Sequence, residues 1–204
     1  MMQSRREFLK NVGKVAVAAS VASAIPMSVM AEAPVHPYAY AKLDPEAVAD
    51  LAYKRFSELG GCCVGVVAGL VESLAATVGA PYTEFPVKMF QNGAAGYGQN
   101  SLCGCLGGAA GAIGLVCDKA TSSALLKELM AWYKETNLPM YDRGEKALAQ
   151  VVPGSVNCID SLSKFFAASG VSSMSDPGRI VRCSCLAADV AKKTVELLNA
   201  HYGV

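Results

Sequence analysis

The sequence predicts an all-α protein, a single-domain helical bundle of about five to six helices with long irregular connections. Apolar residues recur at spacings of three and four in several segments, and Asp-Pro pairs, which favour helix starts, precede two of them. No segment alternates apolar and polar residues as a half-buried strand does. The 204-residue chain is 52% hydrophobic, enough for one core, and its formal net charge of +1 indicates neither nucleic acid nor an anionic membrane as a partner.

Residues 1–31 are predicted to be a twin-arginine signal peptide rather than part of the fold. The segment SRREFLK at positions 4–10 contains the arginine pair, an apolar stretch follows at 12–24, and cleavage is expected near Ala31 or Ala33. The apolar stretch is shorter than the about 20 residues that a membrane span needs. Because the twin-arginine route carries folded proteins, the signal also favours a cofactor inserted before export. Residues 32–204 are then a cysteine-rich helical redox domain, which we expect in the periplasm.

The first two helices are predicted from capping residues and from glycines that interrupt the apolar pattern. Asp44 and Pro45 form a helix start, and the helical spacing of apolar residues continues until Gly60. A second helix is expected to begin near Cys62. The stretch 79–100 is rich in proline and glycine, which predicts an irregular connection.

Four more helices are predicted in the rest of the chain from the same signals. They cover about residues 102–117, 122–136, 155–168 and 176–198. The third of these begins at either Ser155 or Asn157. The polar connection 137–154 has room for a short helix at 144–151.

Cysteine usage is the strongest chemical signal in the chain, because eight cysteines stand beside only two histidines. Six form tight groups and two are isolated: Cys62-Cys63, Cys103-Gly104-Cys105, Cys183-Ser184-Cys185, Cys117 and Cys158. Grouped thiolates are soft ligands that suit iron–sulfur clusters, Cu(I) or zinc. No Cys-x-x-Cys-His string is present, so covalent c-type haem attachment is not indicated. His36 and His201 are interpreted as solvated surface residues.

Five cysteines fall in the predicted first turn of a helix, where unpaired backbone N–H groups and the positive dipole end stabilise a thiolate or an anionic cluster. They are Cys62, Cys63, Cys103, Cys105 and Cys158. Cys183 and Cys185 lie about two turns inside the last helix and about 200° apart around it. Cys183 shares the apolar face of that helix, whereas Cys185 is expected to face another helix, a second metal or a subunit partner.

A run of glycines follows Cys103, at positions 104, 107, 108, 111 and 114. Residues without a side chain allow either a neighbouring backbone or a bulky inorganic cluster to approach the helix closely. Both interpretations are compatible with the sequence. A dinucleotide-binding loop is not indicated, because no strand precedes the run.

Four stretches of the mature chain carry a resemblance to a known family. They are GGC at 60–62, PYTEFP at 81–86, residues 98–108 with LCGCLGG, and residues 182–200 with RC, ADVA and VELLNA. The chain resembles the C-GCAxxG-C-C family of redox-active, iron–sulfur proteins, and within it the branch related to split-Soret cytochromes. The resemblance covers almost all of the mature chain, although Cys105 interrupts the family's Cys-Gly-Ala-x-x-Gly pattern.

This resemblance implies a set of metal ligands. The family's four cysteine positions fall on Cys62, Cys103, Cys158 and Cys183, which the resemblance implies are iron–sulfur ligands. The remaining cysteines are additional candidates: Cys63, Cys105, Cys117 and Cys185. The haem-carrying relatives have Cys-x-x-Cys-His, whereas no such motif surrounds position 158 here, so we expect no haem.

The predicted function is an exported iron–sulfur protein that transfers electrons. Four cysteines suit one [4Fe–4S] or [2Fe–2S] cluster, and eight leave room for two clusters or one larger cluster. No set of acid, base and nucleophile stands out, so an electron carrier is favoured over an enzyme. We expect a periplasmic redox partner, no nucleic acid and no transmembrane segment in the mature chain, and we leave a homodimer open.

Two other functions stay open at this point. A helical bundle that stores Cu(I) would also be exported folded, although its cysteines would recur at i, i+3 or i, i+4 rather than at adjacent positions. A structural domain stapled by disulfides agrees with the even number of cysteines and with an oxidising compartment. The adjacent pair Cys62-Cys63 and the folded-export signal disfavour it.

Overall fold

The fold is all-α over the residues described by a computed structural model, 34–142 and 148–204. Six α-helices follow one another in these ranges: α1 (Pro45–Leu59), α2 (Cys62–Val78), α3 (Gly104–Val116), α4 (Lys119–Glu135), α5 (Cys158–Ser169) and α6 (Pro177–Tyr202). Among these residues, β-type pairing is limited to two isolated bridges. The predicted fold class is confirmed. The predicted signal peptide, residues 1–31, lies outside the described residues.

Capping residues set the ends of α1 where the sequence predicts them. The Asp44 carboxylate accepts hydrogen bonds from the N–H groups of Glu46 and Ala47, and proline follows it at the first helical position. Gly60 ends the helix with φ of 89°, and its N–H donates to the carbonyl of Phe56. The same kind of start, an aspartate cap followed by proline, begins α6.

Two helix boundaries extend beyond the predicted ones. Helix α4 begins at Lys119 because the Asp118 carboxylate accepts a hydrogen bond from the N–H of Thr121 at 2.8 Å. Helix α6 continues past residue 198 to Tyr202, whose hydroxyl donates to the carbonyl of Val116. The Asp118 cap sets the start of α4, and Gly203, with φ of 68°, ends α6.

Helices α2 and α6 form the centre of the bundle. Helix α1 packs against both of them, and so does α3. Residues 62–71 of α2 and 182–191 of α6 are all buried, as expected for helices that contact neighbours on every side. Close approach of α1 depends on Gly69, because a Cβ there would lie 2.9 Å from the Cβ of Ala52.

The connection between α2 and α3 is irregular, as predicted, and ends in an unusual left-handed turn. Short turns at Tyr82–Glu84 and Val87–Gly93 come first. Four consecutive residues then have φ of 51°, 60°, 60° and 69°: Ala95, Gly96, Tyr97 and Gly98. Residues with a side chain rarely adopt this conformation. The turn brings the Tyr97 hydroxyl against Gly107 of α3, where a side chain would leave it no room.

The connection between α4 and α5 is held by a bridge and by a buried carboxylate. Leu138 and Val151 exchange backbone hydrogen bonds of 3.0 and 2.9 Å. Asp189 of α6 accepts the N–H groups of Met140 and Tyr141 at 2.7 and 2.8 Å. Residues 148–151 are not helical, so the short helix predicted at 144–151 is wrong for them. Positions 144–147 lie outside the described residues.

The lead-in to α1 runs along the C-terminal ends of α3 and α6. The N–H of Tyr38 donates to the carbonyl of Leu115 at 2.9 Å, and the Tyr40 hydroxyl donates to Asn199. His36 contacts the Gly114 carbonyl at this same end and is exposed, as predicted. Within the described ranges, no helix combines the length and apolar character that a membrane crossing requires.

Candidate metal centre

Two of the cysteine-bearing helix starts are fastened to each other by backbone hydrogen bonds. The N–H of Cys103, the N-cap of α3, donates to the carbonyl of Val156 at 2.8 Å. The N–H of Cys158, the first residue of α5, donates to the carbonyl of Ser101 at 2.6 Å. This antiparallel pairing, centred on Leu102 and residue 157, sets the cysteines of α3 and α5 side by side. We call it the bridge between α3 and α5.

The start of α2 lies beside these two helix starts because the first residue of α3, Gly104, has no side chain. Cys62 is the first residue of α2, and a Cβ added at Gly104 would lie only 2.5 Å from its Sγ. The same Cβ would also collide with the carbonyl oxygen of Gly93. Gly104 therefore lets the Cys62 thiol reach the N-terminal end of α3.

The fourth predicted cysteine comes from the middle of α6. Cys183 lines the same cavity as Cys62 and Cys158, with a volume of about 400 Å³, and Cys103 acts electrostatically on all three. The structure therefore brings together the four cysteines that the resemblance singled out. Met174 and Ile180, both partly exposed, lie at the edge of this cavity.

The four additional candidates have different surroundings. Cys105 lies next to Cys62 and Cys103, and Cys63 lies beside Tyr97 of the left-handed turn. Cys117 ends α3, about 18 Å along the helix from Cys105, and its sulfur is 3.9 Å from the Tyr202 hydroxyl. Cys185 is buried on α6, about 200° around the helix from Cys183. All eight cysteines lie within the described residues, all are buried, and none is in a disulfide.

Three of these thiols, Cys62, Cys103 and Cys105, interact closely with one another. Cys105 lies within hydrogen-bonding distance of both Cys62 and Cys103. A hydrogen bond from Cys105 lowers the pKa of Cys103 to about 6 and is also the main cause of the lowered pKa of Cys62. The pKa of Cys105 itself is raised well above its usual value, because its proton serves both neighbours. Cys62 and Cys103 are therefore the thiols that ionise most readily.

The other cysteines of the group resist ionisation. Burial raises the pKa of Cys63 and of Cys158 to about 12 and also raises the pKa of Cys183. A thiolate in such surroundings needs a positive charge next to it. A metal ion provides that charge and displaces the protons on binding.

Arg182 and Tyr133 are two residues of this region that the sequence analysis missed. Arg182 is 1% exposed, its Nη1 lies 4.0 Å from the Sγ of Cys183, and its Nη2 donates to the Ser161 hydroxyl. The guanidinium carbon lies 5.5 Å from the centre of the Phe165 ring.

The fully buried Tyr133 hydroxyl lies close to Cys103 and Ser161 but makes no hydrogen bond of normal geometry. The position of Arg182 within an apolar helical segment was the one sequence feature that could have indicated its role. No sequence feature indicated the role of Tyr133.

The donor set fits a thiolate-ligated, anionic centre. The ion pairs of the described residues do not include Arg182, and Cys183, Tyr133 and Cys103 are the titratable groups with which it interacts most strongly. In the same residues, no three His, Cys, Asp or Glu side chains are grouped tightly enough to hold a single metal ion. Three of the thiols, Cys62, Cys158 and Cys183, line a cavity instead, and an iron–sulfur cluster would spread its thiolate ligands over more than one iron atom.

The glycine run of α3 serves close packing. A Cβ at Gly108 would lie 2.5 Å from the carbonyl oxygen of Cys63, and one at Gly111 would lie 2.9 Å from the ring of Phe90. Each position is thus occupied by another part of the protein. Of the two interpretations of this run, approach of neighbouring protein groups is the one observed.

An all-α fold whose buried cysteines gather at helix starts around one cavity defines a cysteine-rich, metal-binding redox protein. The particular family follows from comparison with known families. Residues 61–197 match the family model described as "Putative redox-active protein (C_GCAxxG_C_C)". The chain belongs to the C_GCAxxG_C_C family, which confirms the resemblance.

Individual relatives agree with this assignment. The chain is 32% identical over 166 residues to split-Soret cytochrome c of Desulfovibrio desulfuricans (strain ATCC 27774), an alignment that includes 78% of this chain. It spans 59% of the length of that relative. A solved structure, "A novel iron centre in the split-Soret cytochrome c from Desulfovibrio desulfuricans ATCC 27774", superposes with a TM-score of 0.78 and 30% identity over 81% of this chain and 72% of that one. The fold is therefore shared with a protein that contains an iron centre.

Proposed function

We propose that this protein is an exported electron carrier whose iron–sulfur cluster is bound by Cys62, Cys103, Cys158 and Cys183. The observation that carries the proposal is that three of these thiols, Cys62, Cys158 and Cys183, line one cavity, and that Cys103, at the start of a fourth helix, interacts with all three. The redox description of the family and the iron centre named for the relative support it. In this proposal residues 1–31 are the twin-arginine signal, 32–204 are the functional domain, and the protein works in the periplasm.

When bound, a cysteine-ligated iron–sulfur cluster supplies reversible one-electron chemistry. The protein's own contribution is to hold four thiols in fixed positions and to stabilise their negative charge. Helices α2, α3 and α5 each place a cysteine at or beside their first residue, where backbone N–H groups and the positive dipole end favour anions. Arg182, beside Cys183, adds a positive charge on the remaining side.

Cys63 and Cys105 are the candidates for enlarging this centre, because both lie next to the four proposed ligands. We propose that the centre contains a single four-cysteine cluster, with Cys105 as a protonated thiol beside Cys62 and Cys103. A [4Fe–4S] and a [2Fe–2S] cluster both accept this ligand set. A second or larger cluster would require Cys63 or Cys105 as a ligand.

The electron donor and acceptor are proposed to be other exported redox proteins. The edge of the cavity carries Met174 and Ile180, which are 38% exposed, together with Arg179. An apolar patch with one positive charge is suited to brief contact with a partner that brings an electron close to the thiols. The proposal involves no haem, no nucleic acid and no membrane-spanning segment of the mature chain, and a homodimer is left to measurement.

Purification of the mature protein without air tests the proposal. We expect a brown protein that contains iron and acid-labile sulfide, lacks the absorption band of haem, and bleaches on reduction. Copper without sulfide would instead support the Cu(I)-storage alternative. A colourless protein with four disulfides by mass would support the structural alternative, and either result would contradict the proposed function.

A further inference from the structure

Two buried polar atoms in the described part of the chain have no hydrogen-bond partner, the Tyr133 hydroxyl and the Nε of Arg182. Buried polar groups in native proteins are nearly always paired, so each exception needs an explanation. The two atoms belong to helices α4 and α6, which are distant in sequence. Both nevertheless border the same group of cysteines.

Arg182 and Tyr133 both lie near Ser161 and beside a proposed cysteine ligand. Arg182 reaches Cys183 with one nitrogen and the Ser161 hydroxyl with another. Tyr133 also lies near Ser161, and it lies next to Cys103. Ser161 of α5 therefore lies near an arginine and a tyrosine, and both of these face the proposed ligands.

A buried guanidinium also requires a negative charge. Asp189 is the acidic residue whose field reaches Arg182, but its carboxylate is already held by two backbone N–H groups. The ion pairs of the described residues do not include Arg182, so no carboxylate contacts its guanidinium there. An anion bound among the cysteines would satisfy the charge of Arg182 and both unpaired donors together.

We infer that Arg182 and Tyr133 are positioning residues that donate hydrogen bonds to the sulfur atoms of the anionic cluster bound by the cysteines. This inference rests on the proposed function. Positive charge and hydrogen bonds at cluster sulfurs stabilise the reduced form, which carries one more negative charge than the oxidised form. The two residues therefore raise the reduction potential of the centre.

Substitutions that remove one donor at a time test the inference. Tyr133→Phe deletes only the hydroxyl, Arg182→Lys keeps the charge but loses the planar set of donors, and Arg182→Met loses both. Tyr82→Phe is the matched control, because the Tyr82 hydroxyl is also buried but donates to the carbonyl of Ala39. Iron content, the midpoint potential, and exchangeable-proton couplings of the reduced centre in H₂O and D₂O are measured for each.

We expect Tyr133→Phe to retain wild-type iron, to have a more negative potential, and to lose one exchangeable-proton coupling. Arg182→Lys should shift the potential less than Arg182→Met, and Tyr82→Phe should match the wild type. If the Arg182 variants do not fold, Tyr133→Phe decides the matter. A wild-type potential and unchanged couplings in Tyr133→Phe, or an equal shift in Tyr82→Phe, would overturn the inference. Absence of iron from the wild-type protein would overturn the proposed function instead.

Discussion

The thiol of Cys105 differs from its neighbours because it keeps its proton while theirs are readily lost. Its hydrogen bonds lower the pKa of Cys62 and of Cys103, so these two sulfurs are prepared to bind a cation. The arrangement depends on Gly104, which leaves space for the sulfur of Cys62. The absence of a side chain at Gly104 and the interaction with Cys105 thus favour metal binding by two of the four proposed ligands.

The role of Gly104 can be separated from the general effect of a glycine in α3. We expect Gly104→Ala to lower the iron content, because the new Cβ would overlap the Sγ of Cys62. Gly114→Ala is the matched control in the same helix, since a Cβ there meets nothing within 4 Å. It should keep its iron and gain about 0.5–1 kcal/mol in unfolding free energy. Iron analysis and urea denaturation of both variants provide the test, and equal iron contents would disprove the steric argument.

The proposed ligands should respond to truncation differently from Cys117. Cys183→Ala and Cys62→Ala are expected to yield little soluble, iron-containing protein, because ligation energy is partly folding energy. Cys117→Ala should keep its iron and lose about 1 kcal/mol of stability, since this cysteine packs near Tyr202 at the far end of α3. Iron per chain and the thermal midpoint distinguish the two classes. Loss of iron in Cys117→Ala would mean that the site extends further than proposed.

At the scale of elements, the bridge between α3 and α5 connects segments that lie more than fifty residues apart in the sequence. Two backbone hydrogen bonds fix Cys103 and Cys158 relative to each other without the help of a metal. Helix starts alone would supply N–H groups but would not set the distance between the two helices. The bridge therefore adds the geometric precision that a ligand pair needs.

Shifting the register of the bridge should damage the centre. Insertion of one glycine after Val156 moves the N–H of Cys158 away from the carbonyl of Ser101 and is expected to lower iron per chain. Insertion of one glycine after Ser172, in the exposed connection before α6, is the control and should leave the iron content unchanged. Normal iron in the first variant would show that the bridge does not position the cysteines.

Asp189 of α6, which accepts the N–H groups of Met140 and Tyr141, should make the free energy of unfolding depend on pH. Burial is the main cause that raises the pKa of Asp189 to about 6, so the folded protein holds this proton at pH values where the unfolded chain has lost it. The stabilisation is present at low pH and is lost as pH rises from about 4 to about 6.

Asp189→Asn removes this titration. Between about pH 5 and pH 7, the unfolding free energy of the wild type should fall by about 1 kcal/mol relative to the variant. Urea denaturation of both proteins across this range measures the difference. Parallel pH profiles would show that Asp189 titrates in the same range in the folded and the unfolded protein.

For the whole molecule, export and metal loading are proposed to be linked. We expect the Arg5→Lys/Arg6→Lys precursor to accumulate in the cytoplasm with its iron bound, because the twin-arginine route carries folded proteins. Cell fractionation followed by iron analysis of the purified precursor checks this. Normal export of the double variant would remove the argument that connects the signal with a cofactor.

The fold could be predicted in large part from the sequence because its signals are local. Asp44 with Pro45 and glycine at position 60 fix α1 through contacts within a few residues. The same reasoning correctly put five cysteines in the first turns of helices. It failed at residues 148–151, where the distant Leu138 pairs with Val151 and a local helical tendency is overridden.

The candidate site was less accessible to such reasoning, because it depends on contacts between distant segments. Nothing near Tyr133 in the sequence indicates that its hydroxyl faces Cys103, and no local pattern reveals the bridge between α3 and α5. The family resemblance supplied the four proposed ligands, but periodicity alone left all eight cysteines as candidates. Helix length already predicts that Cys117 lies far from Cys105, and packing adds its contact with the Tyr202 hydroxyl.

The position of Cys183 after the other three proposed ligands in the sequence has a consequence for the order of assembly. Three proposed ligands belong to helices that leave the ribosome before Cys183, and α6 then adds Cys183 together with the buried Arg182. Helix α6 thus completes a partly built centre. The time between the synthesis of α5 and the docking of α6 is therefore a window in which a cofactor can reach the first three thiols directly.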